Sequence, residues 1–115
     1  MQKVLLAEDD YTMVSLLKTL LSMEGYEVET LLDKHGDLLD NIRSEKPDFM
    51  LLDIFLGDQN GIDIIREMRK IPDLKAVKVI MTSGIDKTEE CLAAGADDFL
   101  LKPYMPEDLI QKLRS

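Results

Sequence analysis

The stretch "VLLAEDD", residues 4–10, runs four apolar side chains straight into three carboxylates, Glu8, Asp9 and Asp10. A short unbroken apolar run suits a strand covered on both faces, as in a parallel sheet. The like charges at its end repel one another. Either a solvated turn happens to be acidic there, or something positive is held. The rest of the chain decides between the two.

Similar runs recur at Phe49–Leu52, at Val77–Met81 (interrupted by Lys78) and at Phe99–Leu101. A weaker one, "YEVETLL" at 26–32, alternates with period two through Tyr26 and Val28 and suits an outer strand. Helical patterns lie between them. Met13, Leu16, Leu17, Leu20 and Leu21 share one helical face ahead of Gly25, and Leu38, Leu39 and Ile42 make a shorter stripe. Ile62, Ile65 and Met68 follow the turn "GDQNG". "DKTEECLAAG" at 86–95 predicts a helix opened by an Asp-x-x-Glu capping box and closed at Gly95. "MPEDLIQKLRS" places Pro106 near the first helical position with two acids in the first turn. The order βαβαβαβαβα, without repeat or linker, predicts a doubly wound α/β sandwich around a parallel sheet. At 115 residues this reads as one domain, 1–115, with one core.

Composition excludes several function classes. Asp and Glu number 23 against 14 Lys and Arg, a net charge of -9, which argues against nucleic acid or an anionic membrane as a direct partner. One cysteine, Cys91, and one histidine, His35, leave no Cys/His zinc site and no internal disulfide. Cys91 reads as a small apolar residue on the fourth helix and His35 as a surface residue near a helix start. No apolar run approaches the ~20 residues of a membrane span, and the N-terminus lacks the basic-then-apolar shape of a signal peptide. The expected setting is cytoplasmic.

Doubly wound sheets bind ligands at the carboxyl ends of their strands, so what each strand ends in carries the functional reading. The first ends in Glu8, Asp9 and Asp10, the third in Asp53, the fourth in Thr82-Ser83-Gly84 and the fifth in Lys102-Pro103. Such an oxygen-rich cluster suits a hard divalent cation, Mg²⁺ or Mn²⁺. A lysine and a hydroxyl beside it suit the oxygens of a phosphoryl group. Ser83 is the better hydroxyl, because Gly84 beside it leaves room. Thr82, the alternative, would still be inside the strand.

Four motifs in order, "AEDD", "LLDIFLGDQNG", "IMTSG" and "LLKPY", make the whole chain resemble the receiver domain of two-component response regulators, including the single-domain chemotaxis regulators. The resemblance implies a flavodoxin-like five-stranded sheet of order 2-1-3-4-5. It implies that Asp53 accepts a phosphoryl group, and that Asp9, Asp53 and the backbone carbonyl of Phe55 ligate Mg²⁺, with Glu8 acting through water. Ser83 would hydrogen-bond the phosphoryl group, Lys102 would pair with it, and Phe99 matches the aromatic switch position, rotating inward as Ser83 moves. A cis Lys102–Pro103 bond would aim the lysine. Asp10 matches no site position and reads as the first helix's N-cap. The side chains lining the path of a hydrolytic water would be those of Phe55 and Ile85. The acidic cluster then has its reason: at roughly 5 Å and an effective dielectric near 20, each carboxylate pair repels by about 3 kcal/mol, which a bound cation relieves.

The implied partners are a sensor histidine kinase and a downstream effector protein or domain, with a phosphorylation-dependent homodimer as a further option. The implied role is regulatory: the domain assists its own modification. The alternative is a receiver-like interaction module that works without phosphorylation. An aspartate-dependent phosphohydrolase would need a second Asp where Phe55 stands. In a flavin carrier, Glu8 and Asp9 would repel the phosphate, and no GxxxxGK[ST] loop is present. Three departures from the family pattern stand out. Gly57 replaces a usual proline, which predicts a more mobile loop. The stretch from Ser83 to Ala94 is about three residues short, nearly one helical turn. The last helix is also short, as in a chain cut from a longer protein.

Overall fold

Each apolar run forms a strand and each amphipathic stretch a helix. The computed structural model describes residues 1–31 and 34–115. The main sheet consists of β1 (Lys3–Ala7), β2 (Glu27–Thr30), β3 (Phe49–Asp53), β4 (Lys78–Ser83) and β5 (Asp98–Leu101). All neighbours are parallel, in the spatial order β2-β1-β3-β4-β5. The helices are α1 (Tyr11–Met23), α2 (Leu38–Glu45), α3 (Gly61–Met68), α4 (Thr88–Ala94) and α5 (Pro106–Arg114). A single 3₁₀ turn, Pro72–Leu74, and a small antiparallel hairpin, Phe55–Leu56 with Gln59–Asn60, complete the described elements. The hairpin was not expected from the sequence, because two-residue strands carry no periodic signal. In the outer-strand candidate, Leu32 lies outside the described residues.

Strand side chains alternate between the faces of the sheet, and that alternation sorts the core into two layers. Leu5, Ala7, Met50, Leu52, Val79 and Met81 join Ile42 of α2, Ile62, Ile65 and Met68 of α3, and Cys91 of α4. Val4, Leu6, Phe49, Leu51, Ile80 and Leu100 join Val14, Leu17 and Leu21 of α1 and Leu109 and Leu113 of α5. A strand buried on both faces must be apolar at every position, which is why β1 and β3 read as continuous runs. β2, at the edge, is only half-buried and accordingly alternates.

Two helical expectations need correction. The buried stripe of α1 is Val14, Leu17 and Leu21, while Leu16 is exposed. The stripe turns slightly further round the helix than the leucine spacing suggests. α4 starts at Thr88 with Lys87 at its cap and no side-chain capping bond, so the Asp86–Glu89 capping box does not form. Asp86 Oδ1 instead accepts from the backbone N and the hydroxyl of Thr88, at 3.0 and 2.6 Å. A local Asx turn thus competes with the cap and wins. α4 has seven residues, in line with the shortened stretch. α1 and α4 do end where Gly25 and Gly95 predict, both at positive φ.

Arg69, at the end of α3, gave no signal in the sequence. Its guanidinium donates to the carbonyls of Gly95, Leu74 and Val77 at 2.9, 3.1 and 2.9 Å, and pairs with Asp97 at 3.1 Å. One side chain therefore ties together the entries to β4 and β5, the two strands that carry Ser83 and Lys102.

Candidate acidic site at the strand ends

The chain leaves β1 toward β2 on one side and returns to β3 on the other, so a crevice opens between the carboxyl ends of β1 and β3. Glu8 and Asp9 follow β1, and Asp53 closes β3. One carboxylate oxygen from each of Glu8, Asp9 and Asp53 lies within 4.8 Å of the others. Glu8 is 1% exposed and Asp53 5%, while Asp9 faces solvent. The ammonium of Lys102 sits 2.7 Å from Glu8 Oε1 and 2.7 Å from Asp53 Oδ2. Ser83, at the end of β4, is buried, and its carbonyl accepts the backbone N–H of Lys102 at 2.8 Å. The strand-end residues singled out in the sequence thus come together at one edge.

Backbone groups hold the carboxylates in place. Glu8 Oε2 accepts from the N–H groups of Asp9 and Asp10 at 2.9 and 3.3 Å, and Asp53 Oδ1 from the N–H of Phe55 at 3.1 Å. Asp10 turns away and caps α1, accepting from Thr12 and Met13. α3 backs directly onto the third strand's end: Gly61 N donates to Ile54 O at 2.6 Å. A Cβ at Gly61 would stand 2.5 Å from the Asp53 carbonyl oxygen, so only glycine permits this approach.

Gly57 adopts φ +61° in the hairpin turn, and its N–H donates to Asp9 Oδ2 at 3.0 Å. Proline could supply neither the angle nor the donor. The glycine that stands for the usual proline thus gives this loop a bond to the acidic turn after β1. Sequence separation hid it: the partners are 48 residues apart.

The electrostatics follow from burial and pairing. Burial pushes the Glu8 carboxyl up, with the Asp53 charge adding to it and the Lys102 hydrogen bond opposing. Burial works against the charge of Lys102, but its hydrogen bonds to Asp53 and Glu8 and their negative charges outweigh it. The ammonium is held well above the usual lysine range. Three carboxylates against one ammonium leave two negative charges in the crevice. Hard oxygen donors, a net charge of that size and an adjoining cleft of about 250 Å³ fit a hydrated divalent cation.

The two hydroxyls differ. Thr82 is wholly buried and its Oγ1 donates to Leu100 O at 2.8 Å, a bond between strands. Among the described residues, Ser83 Oγ accepts only from Ile85 N, at 3.2 Å, and its hydrogen can turn toward the site. Phe55 and Ile85 are 54% and 59% exposed. Each is joined through its backbone N–H to a site residue, Asp53 or Ser83.

Phe99, the expected switch position, lies inside the protein. It is 8% exposed and belongs to the core cluster of Met81, Cys91, Ala94 and Ala96. α4 contributes Cys91 and Ala94 to the same cluster. The Lys102–Pro103 bond is cis, as the resemblance implies. Cys91 is buried and His35 exposed. Among the described residues, no helix is long and apolar enough to cross a membrane.

A doubly wound sheet with a carboxylate triad, a hydroxyl and a lysine at its carboxyl edge defines a protein of the phosphoacceptor-switch class. The family model of the response regulator receiver domain matches residues 4–114, and the chain belongs to that family. It is 34% identical, over all of its own length and 49% of the other's, to the transcriptional regulatory protein CpxR of Klebsiella pneumoniae. Identity to the DNA-binding response regulator MtrA of Mycobacterium tuberculosis is 32%, over 99% of this chain and 50% of that protein. The chain thus spans about half the length of these curated relatives. Among solved structures, a CheY-like receiver domain from Methanospirillum hungatei superposes with a TM-score of 0.86 at 32% identity, covering 99% of this chain and 91% of that one. The family is regulatory and binds Mg²⁺ at an acidic pocket, for which the Glu8, Asp9 and Asp53 cluster is suited.

Proposed function

We propose that residues 1–115 form a Mg²⁺-dependent phosphoacceptor switch in which Asp53 takes a phosphoryl group from a sensor histidine kinase or a small phosphodonor. The observation that carries this reading is the Lys102 ammonium, 2.7 Å from both Asp53 and Glu8 in a crevice with two negative charges to spare. An Asp53 carboxylate oxygen attacks phosphorus, the donor's leaving group departs with the bonding electrons, and an acyl phosphate results. Asp9, Asp53 and the Phe55 carbonyl would hold the metal, with Glu8 acting through water. When bound, Mg²⁺ supplies positive charge beside the phosphoryl oxygens. Lys102 turns to the phosphoryl group as its counter-charge, and Ser83 donates its hydroxyl hydrogen to a phosphoryl oxygen. Catalysis by the chain itself is positioning and charge neutralisation.

The readout runs from Ser83 to β5, where Ser83 pairs with Leu101 and Met81 with Phe99. In this reading a phosphoryl group on Asp53 acts through Ser83 on β5 and Phe99, so that the surface around α4 and α5 answers to the site. The partners in this reading are the kinase, an effector protein or domain, and a second phosphorylated copy, with no direct nucleic-acid or membrane contact and a cytoplasmic location.

The metal part of the reading has its own test. The repulsion of Glu8 and Asp9 by Asp53 exists only in the folded chain, so a cation that relieves it stabilises the fold, by about 2.7 kcal/mol at a hundred times its Kd. Millimolar Mg²⁺ should raise the Tm by several degrees over Na⁺ of matched ionic strength. Asp9→Ala should raise the metal-free Tm and abolish the Mg²⁺ increment. An undiminished increment in Asp9→Ala would remove Asp9 from the metal site.

A further inference from the structure

Thr82 is the hydroxyl that the acidic site leaves unused. The residue is wholly buried in β4, and its Oγ1 donates to Leu100 O at 2.8 Å. That hydrogen is spent, so none remains for a phosphoryl oxygen. Valine has the same branched shape, suits a buried strand as well and carries no hydroxyl to desolvate. A hydroxyl kept in such a place is explained by what it binds. Three strands meet at this residue. Asp53 of β3, Thr82 of β4 and Leu100 of β5 are register partners in one row across the sheet. Toward β3, the Thr82 carbonyl accepts the N–H of Ile54, next to Asp53, at 3.0 Å. Toward β5, its hydroxyl binds the carbonyl of Leu100, two positions before Lys102.

β5 is the outermost strand, with β4 as its neighbour. Its place at the carboxyl edge therefore depends on bonds to β4. Two of them flank the lysine: Thr82 Oγ1 to Leu100 O, and the Lys102 N–H to Ser83 O at 2.8 Å. The demand on Lys102 is strict. A flexible lysine stem reaches one carboxylate from many strand positions, but here the ammonium meets Glu8 Oε1 and Asp53 Oδ2 together, each at 2.7 Å. A small slip of β5 loses one contact or the other. We propose that Thr82 is a positioning residue of the acidic site: its hydroxyl holds β5 in the row of Asp53 and so sets the reach of Lys102 to both carboxylates. This role deepens the phosphoacceptor reading, and only the loading measurement depends on that reading.

Thermal melts in chelator, where no phosphoryl chemistry takes part, compare the parent, Thr82→Val, Lys102→Ala and the double variant. Thr82→Val loses one hydrogen bond in either background, but only where Lys102 is present does it also loosen the pairing with Glu8 and Asp53. Its drop in Tm is therefore expected to be larger, by a few degrees, in the parent than in Lys102→Ala. Lys102→Met, which keeps the aliphatic stem, replaces Lys102→Ala if the latter does not fold. With acetyl phosphate and Mg²⁺, Thr82→Val is expected to load Asp53 about 10-fold more slowly than the parent, since a misplacement of about 1 Å costs up to ~10²-fold in rate. Thr82→Ser, which keeps the hydroxyl, is expected to load at close to the parent's rate. Equal Tm drops in the two backgrounds, or a smaller drop in the parent, overturn the proposal. So does a Thr82→Val variant that loads as fast as the parent, or a Thr82→Ser variant that loads as slowly as Thr82→Val. Should the parent itself not load, the phosphoacceptor reading fails and the melts alone decide.

Discussion

Lys102→Ala is expected to slow loading of Asp53 by a small phosphodonor about 10²-fold or more, the usual cost of removing one preorganised donor from developing negative charge. The fold should survive. Breaking a buried pair costs about 3–5 kcal/mol, against a total of roughly 5–15 kcal/mol for a domain. The stability deficit should also depend on pH in a set direction. The Glu8 carboxyl already lies above its ordinary value of 4.5, and the Lys102 hydrogen bond is what restrains it. Without Lys102 it rises further. A carboxyl raised on folding supports the fold fully below its unfolded value, and that support is lost as pH climbs through its folded value. The deficit of Lys102→Ala relative to the parent should therefore be smallest near pH 4.5 and grow toward neutrality. Urea denaturation of both proteins across that range, together with loading rates at pH 7, measures both effects. A deficit independent of pH would show that Lys102 does not act through Glu8.

The second large effect concerns how long the signal lasts. Hydrolysis of an acyl phosphate on Asp53 needs a water in line with the breaking bond. Phe55 and Ile85 are exposed and tethered by their N–H groups to Asp53 and Ser83, and we propose that their side chains line the path of that water. Neither can hydrogen-bond a water, and both can cover the phosphoryl group, so the attacking water is poorly held. Positioned polar groups contribute about 10²–10⁴-fold to such proton-transfer chemistry. Phe55→Asn combined with Ile85→Glu should therefore shorten the acyl-phosphate lifetime by ~10-fold or more. The lifetime is followed after donor removal in excess Mg²⁺. A double variant that decays no faster than the parent would mean that the lifetime is set elsewhere.

The residues of the acidic site were legible because a parallel sheet makes them so. Strands buried on both faces are unbroken apolar runs, and whatever polar group ends such a run stands at the ligand-binding edge. Glu8, Asp9, Asp53, Ser83 and Lys102 could all be read in that way. What stayed hidden depends on partners far apart in the chain or on packing volume. The Gly57 bond to Asp9 and the Arg69 contacts with Gly95 and Asp97 link positions with no shared periodicity. Phe99 packs in one cluster with Cys91 and Ala94 of the seven-residue α4, a matter of packing that a pattern of residue types does not measure. The start of α4 was misread because Asp86 satisfies Thr88 locally instead of capping the helix. Thr82 stood in the quoted "IMTSG" motif, yet only the structure shows its hydroxyl spent on Leu100 O.

Asp53 as phosphoacceptor is the claim on which the rest depends, and intact-mass measurement after incubation with acetyl phosphate and Mg²⁺ tests it most directly. The account predicts the mass gain of one phosphoryl group on the parent chain, lost when Mg²⁺ is chelated and absent in Asp53→Asn. A parent chain that gains no mass, or an Asp53→Asn variant that gains as much as the parent, would contradict it.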